Sequence, residues 1–242
     1  MRVLLTGASG FVGRIALDLL GARHEVTPFD VRPVEGCDDV VIGDVLDYDA
    51  VSTAMEGCDA VVNTIMAPNT SYGGSGPGFT INVSGMHNLL EAACAHGIKR
   101  FVHTSSGAVH TGYLSPPATH LTHDLYPLKA AGPYALSKVL QEELARNVHE
   151  QHGLSIAAIR PWGIIDSERM VTTDGAPVTS FYFGSIDRRD VASSLVCALE
   201  ADGIGYECFY VMATPGGYEA TDTARTEERL GWKPQFTFDA DL

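Results

Sequence analysis

The strongest constraint on the fold is a glycine-spaced loop that begins six residues into the chain. The apolar run Val3-Leu4-Leu5 leads directly into Thr6-Gly7-Ala8-Ser9-Gly10-Phe11-Val12-Gly13, and an amphipathic helix is expected from about Phe11 to Gly21. A strand that enters a helix through a glycine-rich turn opens a parallel α/β sheet, because parallel neighbours need a crossover helix between them. Without a Cβ in the way, backbone N–H groups at such a turn can approach a pyrophosphate. The helix N-terminus adds partial positive charge at the same point. Gly7, Gly10, Phe11, Val12 and Gly13 are therefore candidates for holding a dinucleotide.

The remaining chain keeps the alternation that this opening demands. Strands are expected at residues 24–29, 40–42, 60–64, 100–104, 155–159 and 207–212, and helices at 47–56, 81–96, 135–151, 189–200 and 223–230. Residues 68–78 are rich in Gly, Ser and Pro and read as a loop, with a lid over a ligand one of its uses. Residues 162–186 show no periodicity. The fold class is α/β, a doubly wound parallel sheet of the Rossmann kind with a small C-terminal substrate-binding cap. Residues 1–161 form the dinucleotide-binding core, and 162–242 the cap interleaved with the last sheet elements.

At 242 residues, with 45% hydrophobic and 19% charged residues, the chain can fill one core and is not disordered. Its net charge of −14 repels phosphate backbones and anionic lipid, so neither nucleic acid nor a membrane is an expected partner. Five scattered cysteines without a CxxC spacing suit free thiols in a reducing cytoplasm. The apolar N-terminus is interrupted by glycines and Asp18, which argues against a secretory signal.

Twenty residues beyond Gly10, at the end of the second expected strand, stands Asp30. A carboxylate there accepts hydrogen bonds from an adenosine ribose and repels a 2′-phosphate, which favours NAD over NADP. Arg32, two residues on, could pair with that phosphate, so NADP is not excluded. Further along, the fifth strand ends in Thr104-Ser105-Ser106, and Tyr134-Ala135-Leu136-Ser137-Lys138 opens a helix, with Tyr134 and Lys138 on one face. An ammonium and an oxidised nicotinamide would lower the phenol's pKa and fit Tyr134 as a base. Ser106 would hold the substrate oxygen, and Lys138 would also bind the nicotinamide ribose.

These residues resemble the extended short-chain dehydrogenase/reductase family, also called the NAD-dependent epimerase/dehydratase family, over nearly the whole length. The matching segments are 6–13, Asp30, Gly43-Asp44-Val45, Asn63, Asn82-Val83-Ser84-Gly85, Ser105-Ser106, Tyr134 to Lys138, Arg160-Pro161, Arg189-Asp190-Val191-Ala192 and Leu230-Gly231-Trp232-Lys233-Pro234. The resemblance implies that Asp44 and Val45 contact adenine and that Thr64 and Ile65 line the cofactor. Asn63 and Asn82 would join them, and Pro161, Gly163 and Ile164 would cover the nicotinamide. It also implies a homodimer formed through helices 81–96 and 135–151.

Where dehydratases carry an Asp-Glu pair after the catalytic serine, this chain has Gly107-Ala108. Only 27 residues separate Pro161 from Arg189, too few for the insertion that grips a nucleotide in nucleotide-sugar enzymes. Among short members the chain is most similar to uronate dehydrogenases, which implies that Arg169 clamps a substrate carboxylate. Those enzymes follow the serine with Asn-His, however, and His110 stands where the family usually has tyrosine. The expected activity is hydride transfer between NAD and a hydroxyl or hemiacetal carbon of a small sugar or sugar acid. The alternatives are a nucleotide-sugar epimerase or 4-ketoreductase, and a dinucleotide-binding sensor without turnover. His120, His123 and Asp124 lie in a loop, where solvated or substrate-rim roles are expected rather than a metal site.

Overall fold

In the computed structural model, which describes residues 1–67, 77–114 and 120–239, the first apolar run is strand β1 (Arg2–Thr6). Strands β2 (Glu25–Asp30), β3 (Val41–Ile42), β4 (Ala60–Asn63), β5 (Arg100–Thr104), β6 (Ser155–Arg160) and β10 (Tyr206–Tyr210) complete one seven-stranded sheet. Its order is β10-β6-β5-β4-β1-β2-β3, and every pairing is parallel. Strand order reverses between β1 and β4, so the crevice at their carboxyl ends is where a doubly wound sheet takes its ligand.

Helices cover both faces. Helices α1 (Gly13–Gly21) and α5 (Arg188–Glu200) pack together on one face. Helices α2 (Tyr48–Met55), α3 (Gly78–Ala95) and α4 (Pro133–His152) pack side by side on the other. Two apolar clusters follow, as alternation along each strand requires. Val3, Leu5, Val62 and Ile159 face α1 and α5, while Leu4, Val61, Phe101 and Ile156 face α2, α3 and α4. No helix among the described residues is long and apolar enough to cross a membrane.

Several boundaries differ from the expectation for physical reasons. Helix α1 begins at Gly13, not Phe11, because Gly7 to Val12 remain in the turn. Helix α3 begins at Gly78, directly after Pro77, three residues earlier than the glycine-rich composition suggested. The rest of the expected loop, residues 68–76, lies outside the described residues. The aperiodic stretch 162–186 in fact contains β7 (Gly163–Asp166), β8 (Val171–Thr172) and the start of β9 (Ser185–Asp187), which form a second sheet in the order β8-β7-β9. Strands of two to four residues are too short for a period to register.

A short helix α6 (Pro215–Ala220) was also hidden, since Pro215-Gly216-Gly217 reads as a turn. Thr214 caps it by accepting from the Gly217 N–H, and Pro215 occupies the first turn. The chain closes with α7 (Thr223–Leu230), which ends at Gly231 in a left-handed conformation (φ 60°). Two late sequence markers meet in space. Asp190 on α5 accepts the backbone N–H groups of Gln235 (2.8 Å) and Phe236 (2.9 Å), and Trp232 donates to Ser193 at 2.8 Å. Residues 162–242 thus supply the small sheet and also α5 and β10 of the main body.

Candidate active site

A cleft of about 590 Å³ opens at the carboxyl ends of the main strands. The Gly7–Gly13 turn forms one wall. Gly7 has φ +79°, and a Cβ there would lie 2.9 Å from the Ile65 backbone nitrogen. A Cβ on Gly13 would sit 2.0 Å from the Gly7 carbonyl oxygen, so the helix can approach the turn only because position 13 is glycine. Asp30 ends β2 nearly buried, accepting from the Ser9 N–H (2.9 Å) and the Arg32 N–H (3.1 Å). The Arg32 guanidinium reaches back to Ser9 Oγ at 3.0 Å, which closes that end of the cleft.

Of the expected residues, Gly7, Gly10, Phe11, Val12, Asp30, Arg32, Asp44, Val45, Thr64, Ile65, Ser106, Tyr134, Lys138, Pro161 and Ile164 all line this one cleft. Five do not. Gly13 sits behind the turn. Asn63 is buried, accepting from Thr6 Oγ1 (2.8 Å) and the Ile65 N–H (3.0 Å). Asn82 is also buried, and its carboxamide grips Ala67 by accepting from its N–H (2.9 Å) and donating to its carbonyl (3.3 Å). It also donates to Ser137 Oγ (3.1 Å), which in turn donates to the Tyr134 carbonyl (2.7 Å). Asn82 is therefore placed to position the walls rather than to touch a ligand. Gly163 faces Tyr182, whose hydroxyl occupies the space a Cβ would need. Arg169 leaves 76% of its side chain in solvent, 3.9 Å from Asp166 and away from the cleft lining.

The Ser-Tyr-Lys trio converges from two elements. Ser106 caps a 3-10 segment (Gly107–Tyr113), and its Oγ accepts from the Ala108 N–H at 3.1 Å, leaving its own proton to donate. Tyr134 lies in the first turn of α4, beside the Ser106 hydroxyl. Lys138 is wholly buried one turn later and donates to the Thr104 carbonyl at 2.9 Å. Burial pushes its pKa down to about 7 against the pull of the Glu142 charge. Burial raises the Tyr134 pKa against the opposing pull of the Ser106 hydroxyl.

The cleft fits a dinucleotide on its own terms. Gly7 and Gly10 line it, Gly13 lets the helix pack close behind the turn, and a nearly buried carboxylate stands at one end. At the other end Thr104 Oγ1, which borders the cleft, is buried with no hydrogen-bond partner among the described residues.

Sequence reasoning missed Trp162 and Thr173, which also line the cleft. No motif marks either residue, although an aromatic directly after Arg160-Pro161 was a readable signal. His110 belongs to the buried interior rather than to the cleft lining. It is buried, paired through Nδ1 with the Tyr210 hydroxyl and through Nε2 with the Leu125 carbonyl (2.9 Å). His120 pairs with the Glu219 carbonyl (3.0 Å) and His123 with Asp222 (2.9 Å). Among the described residues no three His, Cys, Asp or Glu side chains group as metal ligands.

The model of the NAD dependent epimerase/dehydratase family matches residues 3–174. An L-arabinose 1-dehydrogenase (NAD(P)(+)) of Haloferax volcanii is 36% identical over 168 residues, covering 66% of this chain and 65% of that one. A uronate dehydrogenase of Agrobacterium fabrum is 33% identical over 167 residues, covering 66% and 60%. The match thus spans less than two thirds of either relative. A solved structure of a mutant uronate dehydrogenase from Agrobacterium tumefaciens, complexed with NAD, superposes with a TM-score of 0.77 at 25% identity. That superposition covers 99% of this chain and 85% of the other.

Proposed function

We propose, from the fact that the chain belongs to the NAD dependent epimerase/dehydratase family, that it is an NAD-dependent dehydrogenase of a small sugar or sugar acid. One observation carries this reading: Ser106, Tyr134 and Lys138 share a single cleft with the glycine turn and Asp30. A dinucleotide pyrophosphate would lie along Gly7, Gly10 and Phe11, with its adenosine end at Asp30, Asp44 and Val45. Thr64, Ile65, Pro161 and Ile164 would flank the nicotinamide end. NAD, when bound, supplies the hydride acceptor.

The chain's own residues handle the proton and the substrate oxygen. Ser106 donates a hydrogen bond to that oxygen and fixes its position. Tyr134 Oη accepts the hydroxyl proton as the C–O single bond becomes a carbonyl. Lys138, with the Thr104 carbonyl holding it, is placed to stabilise the phenolate and to bind the nicotinamide ribose. Within residues 162–242, the segments outside α5 and β10 serve as the substrate cap. A homodimer through α3 and α4 belongs to the same reading, since the two helices lie side by side on one face. So does a cytoplasmic location, which the unpaired cysteines favour.

The test is NAD reduction with a panel of free aldoses, uronates and nucleotide sugars, repeated with Tyr134→Phe. Turnover on a free sugar, lowered about 10²–10⁴-fold by the substitution while NAD binding persists, is the expected result. Inversion of a nucleotide sugar without net NAD reduction would instead favour the epimerase.

A further inference from the structure

Trp162 gives the substrate end of the cleft a fixed aromatic wall. Its six-membered ring lies against Gly107, where a Cβ would stand 2.2 Å from Cε3, and its Cβ and Cγ lie against Gly184, where a Cβ would come within 2.6 Å. Phe183 meets the indole edge-on, with centroids 5.0 Å apart. Two glycines and an aromatic edge thus seat the ring one residue beyond Ser106, with part of it lining the cleft. Met66, Ile81 and Ile164 add apolar surface to the lining.

The positive charges lie elsewhere or are already committed. Among the described residues, two cations line the cleft. Arg32 is at the Asp30 end on Ser9 Oγ, and Lys138 is buried on the Thr104 carbonyl. Arg188, which lies over the Phe11 ring 5.0 Å from its centroid, pairs with Asp166 at 2.8 Å, and Arg189 grips Asp187 through two nitrogens at 2.8 and 3.0 Å. Arg169 extends into solvent. Residues 68–76 and 115–119 contain no Lys, Arg or His. A carboxylate or phosphate placed against the indole would therefore be desolvated opposite an apolar wall, on a chain of net charge −14.

We propose that the substrate is an uncharged monosaccharide whose C–H face lies on the Trp162 indole, and that the site turns away uronates, sugar phosphates and nucleotide sugars. A sugar ring suits such a wall, since one face presents mainly C–H groups while the hydroxyls point to the rim and to Ser106. The inference rests on the dehydrogenase reading above.

The experiment measures NAD reduction with pairs matched in all but charge: galactose with galacturonate, and glucose with glucuronate, glucose 6-phosphate and UDP-glucose. The neutral member should be preferred by about a hundredfold in kcat/KM. A charged member turned over as well as its neutral match would overturn the inference and leave the dehydrogenase reading standing. Silence on every sugar would overturn both. Trp162→Ala should raise KM for the neutral sugar about tenfold with a smaller change in kcat, and Trp162→Phe should fall between it and the parent. NAD titration of each variant verifies its fold. Trp162 variants that bind NAD and keep the parent KM would overturn the inference.

Discussion

Arg160 and Glu142 form a two-point ion pair wholly inside the protein: Arg160 Nε meets Glu142 Oε1 at 2.9 Å, and Nη2 meets Oε2 at 2.7 Å. The carboxylate also accepts from Ser105 Oγ at 2.6 Å, and the guanidinium donates to the His123 carbonyl at 3.1 Å. The pair therefore joins the strand end that carries Ser105 and Ser106, the helix that carries Lys138, and the segment leading toward Tyr134. Burial alone would raise the Glu142 pKa, but the Arg160 charge and its hydrogen bonds more than offset this and hold the carboxyl below its usual range. Glu142→Gln leaves a buried guanidinium without its countercharge and should cost about 3–5 kcal/mol in urea unfolding. Replacing both partners by Met should cost less than the single change, because no orphaned charge remains.

His110 makes stability fall in mild acid. Nε2 faces the Leu125 carbonyl and must donate to it, so Nδ1 accepts from the Tyr210 hydroxyl and the ring is neutral. Burial, reinforced by the Arg160 charge, pushes its pKa down to about 4 against the pull of Leu125 and Glu142. An unfolded histidine takes its proton near pH 6.5, whereas the folded one refuses it until about pH 4. The unfolded chain therefore binds more protons across that window, and stability drops as pH falls through it, by up to roughly 3 kcal/mol from this group. His103, also buried and shifted down, adds a parallel slope. The wild-type minus His110→Phe difference isolates the His110 share. Denaturation midpoints for the variant should show a shallower slope in that window, with about 1–3 kcal/mol lost at neutral pH from unpaired groups.

What was legible in the sequence and what was not divides along chain separation. The glycine turn with Asp30, and Tyr134 with Lys138, are short-range patterns whose spacing carries geometry, so their joint presence in one cleft could be expected. The family resemblance implies that Asn63 and Asn82 contact the cofactor. Their side chains instead hold Ile65 and Ala67, a distinction that only packing reveals. Trp162 and Gly107 are 55 positions apart, and nothing in either segment says that one occupies the other's missing side chain. The same holds for Glu142 with Arg160 and for His110 with Tyr210. The small sheet of β7, β8 and β9 escaped because none of its strands is long enough to show alternation.

Asp30 should set the choice of dinucleotide. Its carboxylate accepts from the Ser9 and Arg32 N–H groups, which hold it in place at the Arg32 end of the cleft. Asp30→Asn keeps the shape and removes the charge that opposes a 2′-phosphate, while Arg32 remains beside it to pair with one. The ratio of kcat/KM with NADP to that with NAD should rise by about tenfold or more. An Arg32→Ala change added to it should reverse part of the gain. Steady-state rates with both dinucleotides on one substrate decide the matter.

Gly107→Ala tests how tightly the indole is seated. Gly107 has no positive φ, so the backbone accepts alanine, and the obstacle is purely spatial: the new Cβ would lie 2.2 Å from Trp162 Cε3 and 2.8 Å from Cζ3. These are ring atoms pinned on the far side by Gly184 and Phe183, so the indole must shift as a whole rather than bend at its tip. Overpacking of this kind costs about 1–3 kcal/mol and should lower the melting temperature accordingly. Because the displaced ring lines the substrate end, KM for the sugar should rise about tenfold, while NAD affinity by calorimetry stays within about twofold of the parent. Pairing Gly107→Ala with Trp162→Phe, which removes the clashing ring, should recover most of the stability. A double variant as unstable as the single one would place the strain elsewhere than at the indole.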